Sequence, residues 1–196
     1  MAERLSLFPL PLVLFPRASL PLKIFEPRYL RMVRDCSEAG AGFGVVRHFP
    51  AESGRAGAHA AVGTEALIED FFTLEDGLLG IQCRGRRRFR VIDTRARDDG
   101  LLIGEVDWIA PEPAVPVPPE YAALQTILRE VLQRREFSGL IDADPDDASA
   151  LGLALSALLP LHPDQAQAAL EITDPAYRLE CLLAIIEQAP DEDSED

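Results

Sequence analysis

Hydrophobic and polar positions recur in short strand-like runs through the first 110 residues and then change period. "GFGVVRHF" (Gly42 to Phe49), "AVGTEALIEDFFTL" (Ala61 to Leu74), "GLLGIQCRGRRRFRVID" (Gly77 to Asp93) and "LLIGEVDWIA" (Leu101 to Ala110) are rich in β-branched and aromatic residues and bounded by turn formers, so each predicts a strand. Asp76-Gly77 and Asp99-Gly100 predict hairpin tips. Antiparallel strands at this spacing predict a small barrel. One helix interrupts them, with Glu26 at its cap, Pro27 at the first helical position and Tyr29, Leu30 and Val33 as its apolar stripe. The preceding stretch "FPLPLVLFPRASLPLKIFEPRY" (Phe8 to Tyr29) has its prolines spaced apart, which predicts short edge strands leading into that helix.

Beyond "PEPAVPVPPE" (Pro111 to Glu120), whose five prolines favour extended backbone, the period becomes helical. Tyr121, Leu124, Leu128 and Val131 line one face of a helix starting at Pro119. "DADPDDASALGLALSALLPL" predicts a second, with Asp144 as N-cap and Pro145 at N1, its stripe formed by Leu151, Leu155 and Leu158. A short helix in "LHPDQAQAALEI" follows. The last, in "TDPAYRLECLLAIIEQ", carries Leu179, Leu182, Leu183 and Ile186 at i, i+3, i+4, i+7. The fold class is therefore α+β. A barrel subdomain is expected at 1–110, a proline-rich linker at 111–119, a helical subdomain at 120–189 and a disordered acidic tail at 190–196.

Charge sharpens the division. Residues up to Ala110 hold 15 acidic and 15 basic side chains, and the remaining 86 hold 18 acidic against 4 basic, which accounts for the net charge of −14. Proline interruptions, Glu3 beside Arg4 and the lack of an A-x-A site exclude a signal peptide at the start, and no apolar stretch is long enough to span a bilayer. A cytoplasmic protein with no membrane association is expected. Cys36, Cys83 and Cys181, odd in number and far apart, predict reduced thiols.

Catalytic and metal motifs are absent. Lys23 is the only lysine and follows Leu22, so no G-x-x-x-x-G-K exists, and a serine–lysine dyad would have to use a residue in an apolar run. His48, His59 and His162 stand far apart without a partner at metal-ligand spacing. "DADPDD" fails as a calcium loop, since position six would be Asp147 and position twelve Leu153. No enzyme, cofactor or metal is expected.

The remaining unusual feature is "CRGRRRFRV". Strand alternation puts Arg84, Arg86, Arg88 and Arg90 on one face and Cys83, Arg87, Phe89 and Val91 on the other, unless Gly85 marks a bulge. Such a row reads either as an anion- or nucleic-acid-binding stripe or as a solvated face paired with Glu65, Glu69 and Asp70 or docked against the acidic helical half.

Three stretches carry a resemblance to a known family: "LFPLPLVLFPRASLPLKIFEPRYLRMV", "GTEALIEDFFTLEDGLLGIQCRGRRRFRV" and "LPLHPDQAQAALEITDPAYRLECLLAIIE". In order and spacing the chain resembles the amino-terminal, substrate-binding domain of the ATP-dependent Lon proteases. That resemblance implies a PUA-like β pseudo-barrel with one embedded helix followed by a C-terminal α-helical bundle. It also implies contact with substrate proteins, and a fold similar to the corresponding domain of cereblon. The ATPase and protease modules of Lon, and the zinc-bound ligand module of cereblon, have no counterpart in these residues.

The leading functional expectation is a non-catalytic module that binds unfolded or tagged polypeptide, as an adaptor or regulator of proteolysis, with a Lon-type protease as a candidate partner. Hydrophobic contact backed by exposed strand edges would hold the client. Phe15, Pro16, Leu20 and Phe43 are the candidate contact residues, against the plainer reading of strand residues facing a core. The alternative is RNA binding through the Arg84–Arg90 strand, with Arg86 and Arg88 tracking phosphates.

Overall fold

The computed structural model describes residues 3–49, 58–137 and 139–188; the acidic run at 190–196 lies outside them. Among the described residues, β1 (Glu3–Leu10), β2 (Ser19–Ile24), α1 (Pro27–Ala39), β3 (Phe43–Phe49), β4 (Ala58–Thr73), β5 (Leu79–Ala96) and β6 (Leu102–Trp108) form the first half. The second half holds α2 (Ala122–Gln133), α3 (Ala148–Leu158), α4 (Pro163–Glu171) and α5 (Pro175–Gln188), with 3₁₀ turns at Pro119–Tyr121 and Arg135–Phe137. The class is α+β, as expected.

The sheet runs β2-β5-β4-β3-β1-β6, and β5 pairs again with β6, so five strands close a ring with β2 attached outside it. Asp76-Gly77 and Asp99-Gly100 form the predicted tips, with Gly77 and Gly100 in the left-handed region at φ 78° and 81°. The expectation of edge strands at the start holds for β2, at the end of the strand order, but not for β1, which lies inside the sheet, parallel to β3 and antiparallel to β6. Its proline is tolerated because pairing with β6 ends at Leu7, so Pro9 has a neighbour on one side only. β2 pairs with β5 alone.

α1 starts at Pro27 with Glu26 as N-cap and ends at Gly40 in the left-handed region, as the sequence predicts. α3 starts later than predicted. Its N-cap is Asp147, whose carboxylate accepts from Ser149 N, whereas Asp144 accepts from Asp146 N in a preceding turn. The backbone of Asp146 and Ala148 is instead engaged by the proline-rich segment, through Val117 N to Asp146 O (3.3 Å) and Ala148 N to Val115 O (2.9 Å).

These bonds change the character of residues 111–119. The segment expected as a linker lies as a strap against the start of α3, with Glu112 buried. α2, α4 and α5 pack around α3. One apolar cluster runs from Phe8, Phe15, Tyr29 and Phe43 of the first half to Leu124, Leu151, Leu155 and Leu179 of the second. A smaller cluster (Leu5, Leu7, Val46, Phe89 and Val106) fills the ring, the Phe89 ring occupying the space above Gly44 and Gly63.

Candidate functional site

β5 is the longest strand, and its partner changes halfway along one edge. Ser19–Ile24 of β2 pair with Leu79–Arg84, and Leu102–Trp108 of β6 pair with Phe89–Ala96. The four residues between belong to neither ladder. Gly85 bonds to the segment before β2, through Arg17 N to Gly85 O (2.7 Å) and Gly85 N to Ala18 O (2.9 Å), and Ile109 N reaches Arg88 O (2.9 Å). Arg86 and Arg87 are left at the gap.

The opposite edge is irregular at the same place. Thr64 pairs with Arg88 and Ala66 with Gly85, so Glu65 alone faces Arg86 and Arg87. This is a β-bulge immediately after Gly85, and it breaks the single-faced row that alternation predicts. Arg84 turns to Glu69, with Nε 3.1 Å from Oε1. Arg87 Nε lies 3.1 Å from Glu65 Oε2, and its guanidinium stacks 3.7 Å from the Trp108 ring centroid. Arg88 points inward, 5 % exposed, while Arg86 and Arg90 remain in solvent. Cross-strand pairing and docking against the helical half are thus both realised, by different arginines. A phosphate-tracking row is divided accordingly.

Arg88 ends in a buried cluster that joins five parts of the chain. Glu112 Oε1 accepts from Arg88 Nη2 (2.5 Å) and Arg178 Nη2 (2.5 Å), and Oε2 accepts from Arg178 Nη1 (2.9 Å) and Ser149 Oγ (2.6 Å). Two guanidiniums with one carboxylate would bury an excess positive charge. The C-terminal carbonyls of α4 offset it: Leu170 O and Ile172 O accept from Arg88 (2.7 and 2.6 Å), and Ala169 O from Arg178 Nε (2.9 Å). These carbonyls lack partners within their own helix and lie at the negative end of its dipole.

Protonation follows from this setting. Burial alone would push the Glu112 carboxyl up, but hydrogen bonds from Arg178 and Ser149, with the charges of Arg178 and Arg88, hold it below the usual glutamate range. Burial draws the Arg88 guanidinium below the ordinary arginine value, opposed by Glu112. Through these bonds the cluster fastens the strap, α3, α4 and α5 to the barrel strand β5.

Over it opens a cleft of about 240 Å3. Its walls are Pro16 and Arg17 before β2, Ile109 to Glu112 after β6, Ile141 to Ala143, and the α3 residues Ala150, Leu153 and Ala154, with Arg86 and Arg87 at the gap in β5. An apolar wall facing guanidiniums suits an extended organic or peptide segment.

The predicted contact residues divide. Pro16, Arg86 and Arg88 line this cleft. Phe15 and Phe43 do not offer a surface: they are 2 % and 0 % exposed, in the cluster that Tyr29 of α1 and leucines of α2 and α3 complete rather than in the ring interior. Leu20 is half-buried against the same core. Glu112, Ser149, Arg178 and Arg17 were missed. Arg178 was legible in principle, as one of four basic residues in the second half and one position before Leu179 on a buried stripe. A second exposed apolar surface, formed by Leu30, Val33, Phe71 and Leu79 between α1 and the β4–β5 hairpin, was also unforeseen. Among the described residues no group of three or more acidic, histidine or cysteine side chains is placed to hold a metal ion, and no helix is long and apolar enough to cross a membrane.

Comparison with known proteins agrees with this architecture. The structure is similar over 93 % of this chain and 98 % of the other to a Lon N-terminal domain protein from Xanthomonas campestris, with 42 % identity and a TM-score of 0.78. It also matches the N-terminal domain of the Mycobacterium avium complex Lon protease (95 % and 100 % covered, TM-score 0.64), where 21 % identity makes the likeness one of fold alone. In sequence, 121 residues are 36 % identical to protein cereblon of Danio rerio and 122 are 30 % identical to that of Gallus gallus, in each case over 60 % of this chain. The chain spans about a quarter of the length of these curated relatives (27 % and 26 %). The model of the ATP-dependent protease La (LON) substrate-binding domain matches residues 4–188. With barrel, strap and helices all inside that match, the chain belongs to the family of Lon substrate-binding domains.

Proposed function

We propose that this chain is a polypeptide-binding module that holds an extended segment of a client protein in the cleft between barrel and helices, and that it serves proteolysis as an adaptor or regulator. A cytoplasmic setting belongs to the same proposal. Family membership supplies the substrate-binding role. The observation that carries the location is the partner change on β5, which leaves Arg86 and Arg87 outside both ladders at the mouth of an apolar cleft. Strand addition at such an edge gives affinity through main-chain bonds and selectivity through side chains. The α1–hairpin surface is apolar as well, but its lining holds one guanidinium, Arg34, which pairs with Asp35.

The test is site-specific photocrosslinking to a denatured protein. A benzoylphenylalanine at Leu153 should trap the client, while the same probe at Phe71 should not. Trapping at Phe71 alone would move the site to the other surface. No trapping from either position, with no binding of any denatured polypeptide, would end the reading.

A further inference from the structure

Which segment the cleft prefers is written in its rim. Arg17 and Arg86 both line it, and among the described residues neither forms an ion pair. Arg87 lines it too, with its Nε given to Glu65. The acids of the site are mostly committed: Glu112 to two guanidiniums, Asp147 to the amides of Val115 and Ser149. Asp142 is the carboxylate left at the rim.

Arg17 is placed there against its own backbone preference. Its φ of 65° makes it the one described non-glycine residue in the left-handed region. The strain is held by Arg17 N donating to Gly85 O, by Gly85 N donating to the neighbouring Ala18 O, and by Arg84 Nη1, which donates to Arg17 O at 3.1 Å. Glycine is the residue such a turn ordinarily takes. An arginine there adds a second cation, beside Arg86, to a cleft whose apolar wall presents Pro16, Ile109, Ala143 and Leu153.

Resting on the polypeptide-binding reading, we propose that the cleft selects extended segments in which aspartate or glutamate alternates with large apolar residues, the carboxylates meeting Arg17 and Arg86 and the apolar side chains meeting Ile109 and Leu153. Side-chain carboxylates are the source favoured over a chain terminus, since terminal carboxylates are captured by nests of backbone amides, whereas separate guanidiniums suit acidic motifs. The overall charge makes the preference selective. A molecule of net charge −14 repels acidic chains at a distance, so the rim acts only at short range and together with the apolar wall.

The experiment is fluorescence anisotropy with a labelled dodecapeptide alternating Leu and Asp, capped at both ends, against its Leu–Asn twin. The Asp peptide should bind at least about tenfold more tightly. Arg86→Gln and Arg17→Gly should each weaken it about three- to tenfold and leave the twin unmoved, with Arg17→Gly also suiting the backbone, so that folding is not in question. Equal binding of the twins, while the photocrosslink at Leu153 persists, overturns this inference and spares the module. So does tighter binding of the Asn twin once its C-terminus is freed, or tighter binding of a labelled oligonucleotide lost in Arg86→Gln. If neither peptide nor a denatured protein binds, the module reading itself has failed.

Discussion

Arg178 grips Glu112 with both terminal nitrogens, Nη1 to Oε2 at 2.9 Å and Nη2 to Oε1 at 2.5 Å, with side chains 0 % and 4 % exposed. The pair ties the last helix to the strap, and Arg88 ties both to the barrel. A buried ion pair adds little over a well-packed apolar substitute, yet removing one member strands the rest.

Glu112→Ala should therefore cost about 3–5 kcal/mol, since two guanidiniums would stay buried without a counter-charge. Ser149→Ala removes a single hydrogen bond to the same carboxylate and should cost only about 1.5–3 kcal/mol. Urea unfolding followed by circular dichroism gives both. A loss under about 1 kcal/mol for Glu112→Ala would show that water enters and solvates the arginines.

Acid should act through the same carboxyl. Its folded-state pKa lies below the unfolded value, so its stabilisation is fully present above the unfolded value of about 4.3 and is lost as pH falls through the lower, folded one. The midpoint of urea unfolding should hold near neutrality and drop below about pH 4. In Glu112→Gln that part of the drop should disappear, leaving a shallower acid limb.

Gly85 and Arg17 should respond in opposite directions. A Cβ at Gly85 would sit 2.1 Å from Phe15 O and 3.0 Å from its carbonyl carbon, so Gly85→Ala must push two backbone segments apart, at about 2–3 kcal/mol. Arg17→Gly relieves the left-handed strain and should be neutral or stabilising by up to about 1 kcal/mol. Thermal melts of the two variants settle the pair. A destabilised Arg17→Gly would mean that the arginine's contacts outweigh its backbone cost.

Barrel and helices should melt together. One apolar cluster and one ionic cluster cross the boundary at the strap. Calorimetry should therefore give one transition whose calorimetric and van't Hoff enthalpies agree. A cut near Ala114 should leave two pieces that co-elute; two separate peaks, or two transitions, would restore the strap to a mere linker.

Much of this architecture is legible in the residues. Hairpin tips at Gly77 and Gly100, the Pro27 start of α1 and the Leu179–Ile186 stripe all follow from local rules: positive φ, a fixed proline φ and a 3.6-residue period. What misleads is whatever depends on distant partners. Asp144 is as good a cap as Asp147 until Val115 and Val117 occupy the backbone beside it. The inward turn of Arg88 depends on a bulge opposite Glu65 and on carbonyls 82 and 84 residues away. Phe15 and Phe43, attractive as surface in isolation, become core once α1 and the later helices complete the cluster around them. Of the cleft, the sequence shows Pro16 and Arg86 but not the wall they face, since that wall is assembled from three remote segments.

Those long separations also order events during synthesis. Arg88 leaves the ribosome long before the α4 carbonyls and Arg178 exist to receive it, and closing loops of this length slows the joining of distant parts. Until the final helix emerges, the nascent barrel carries a cation with no home and an apolar flank with no cover. Chains released short of Arg178 would expose both, which is the kind of surface that holdase chaperones and quality-control proteases seize.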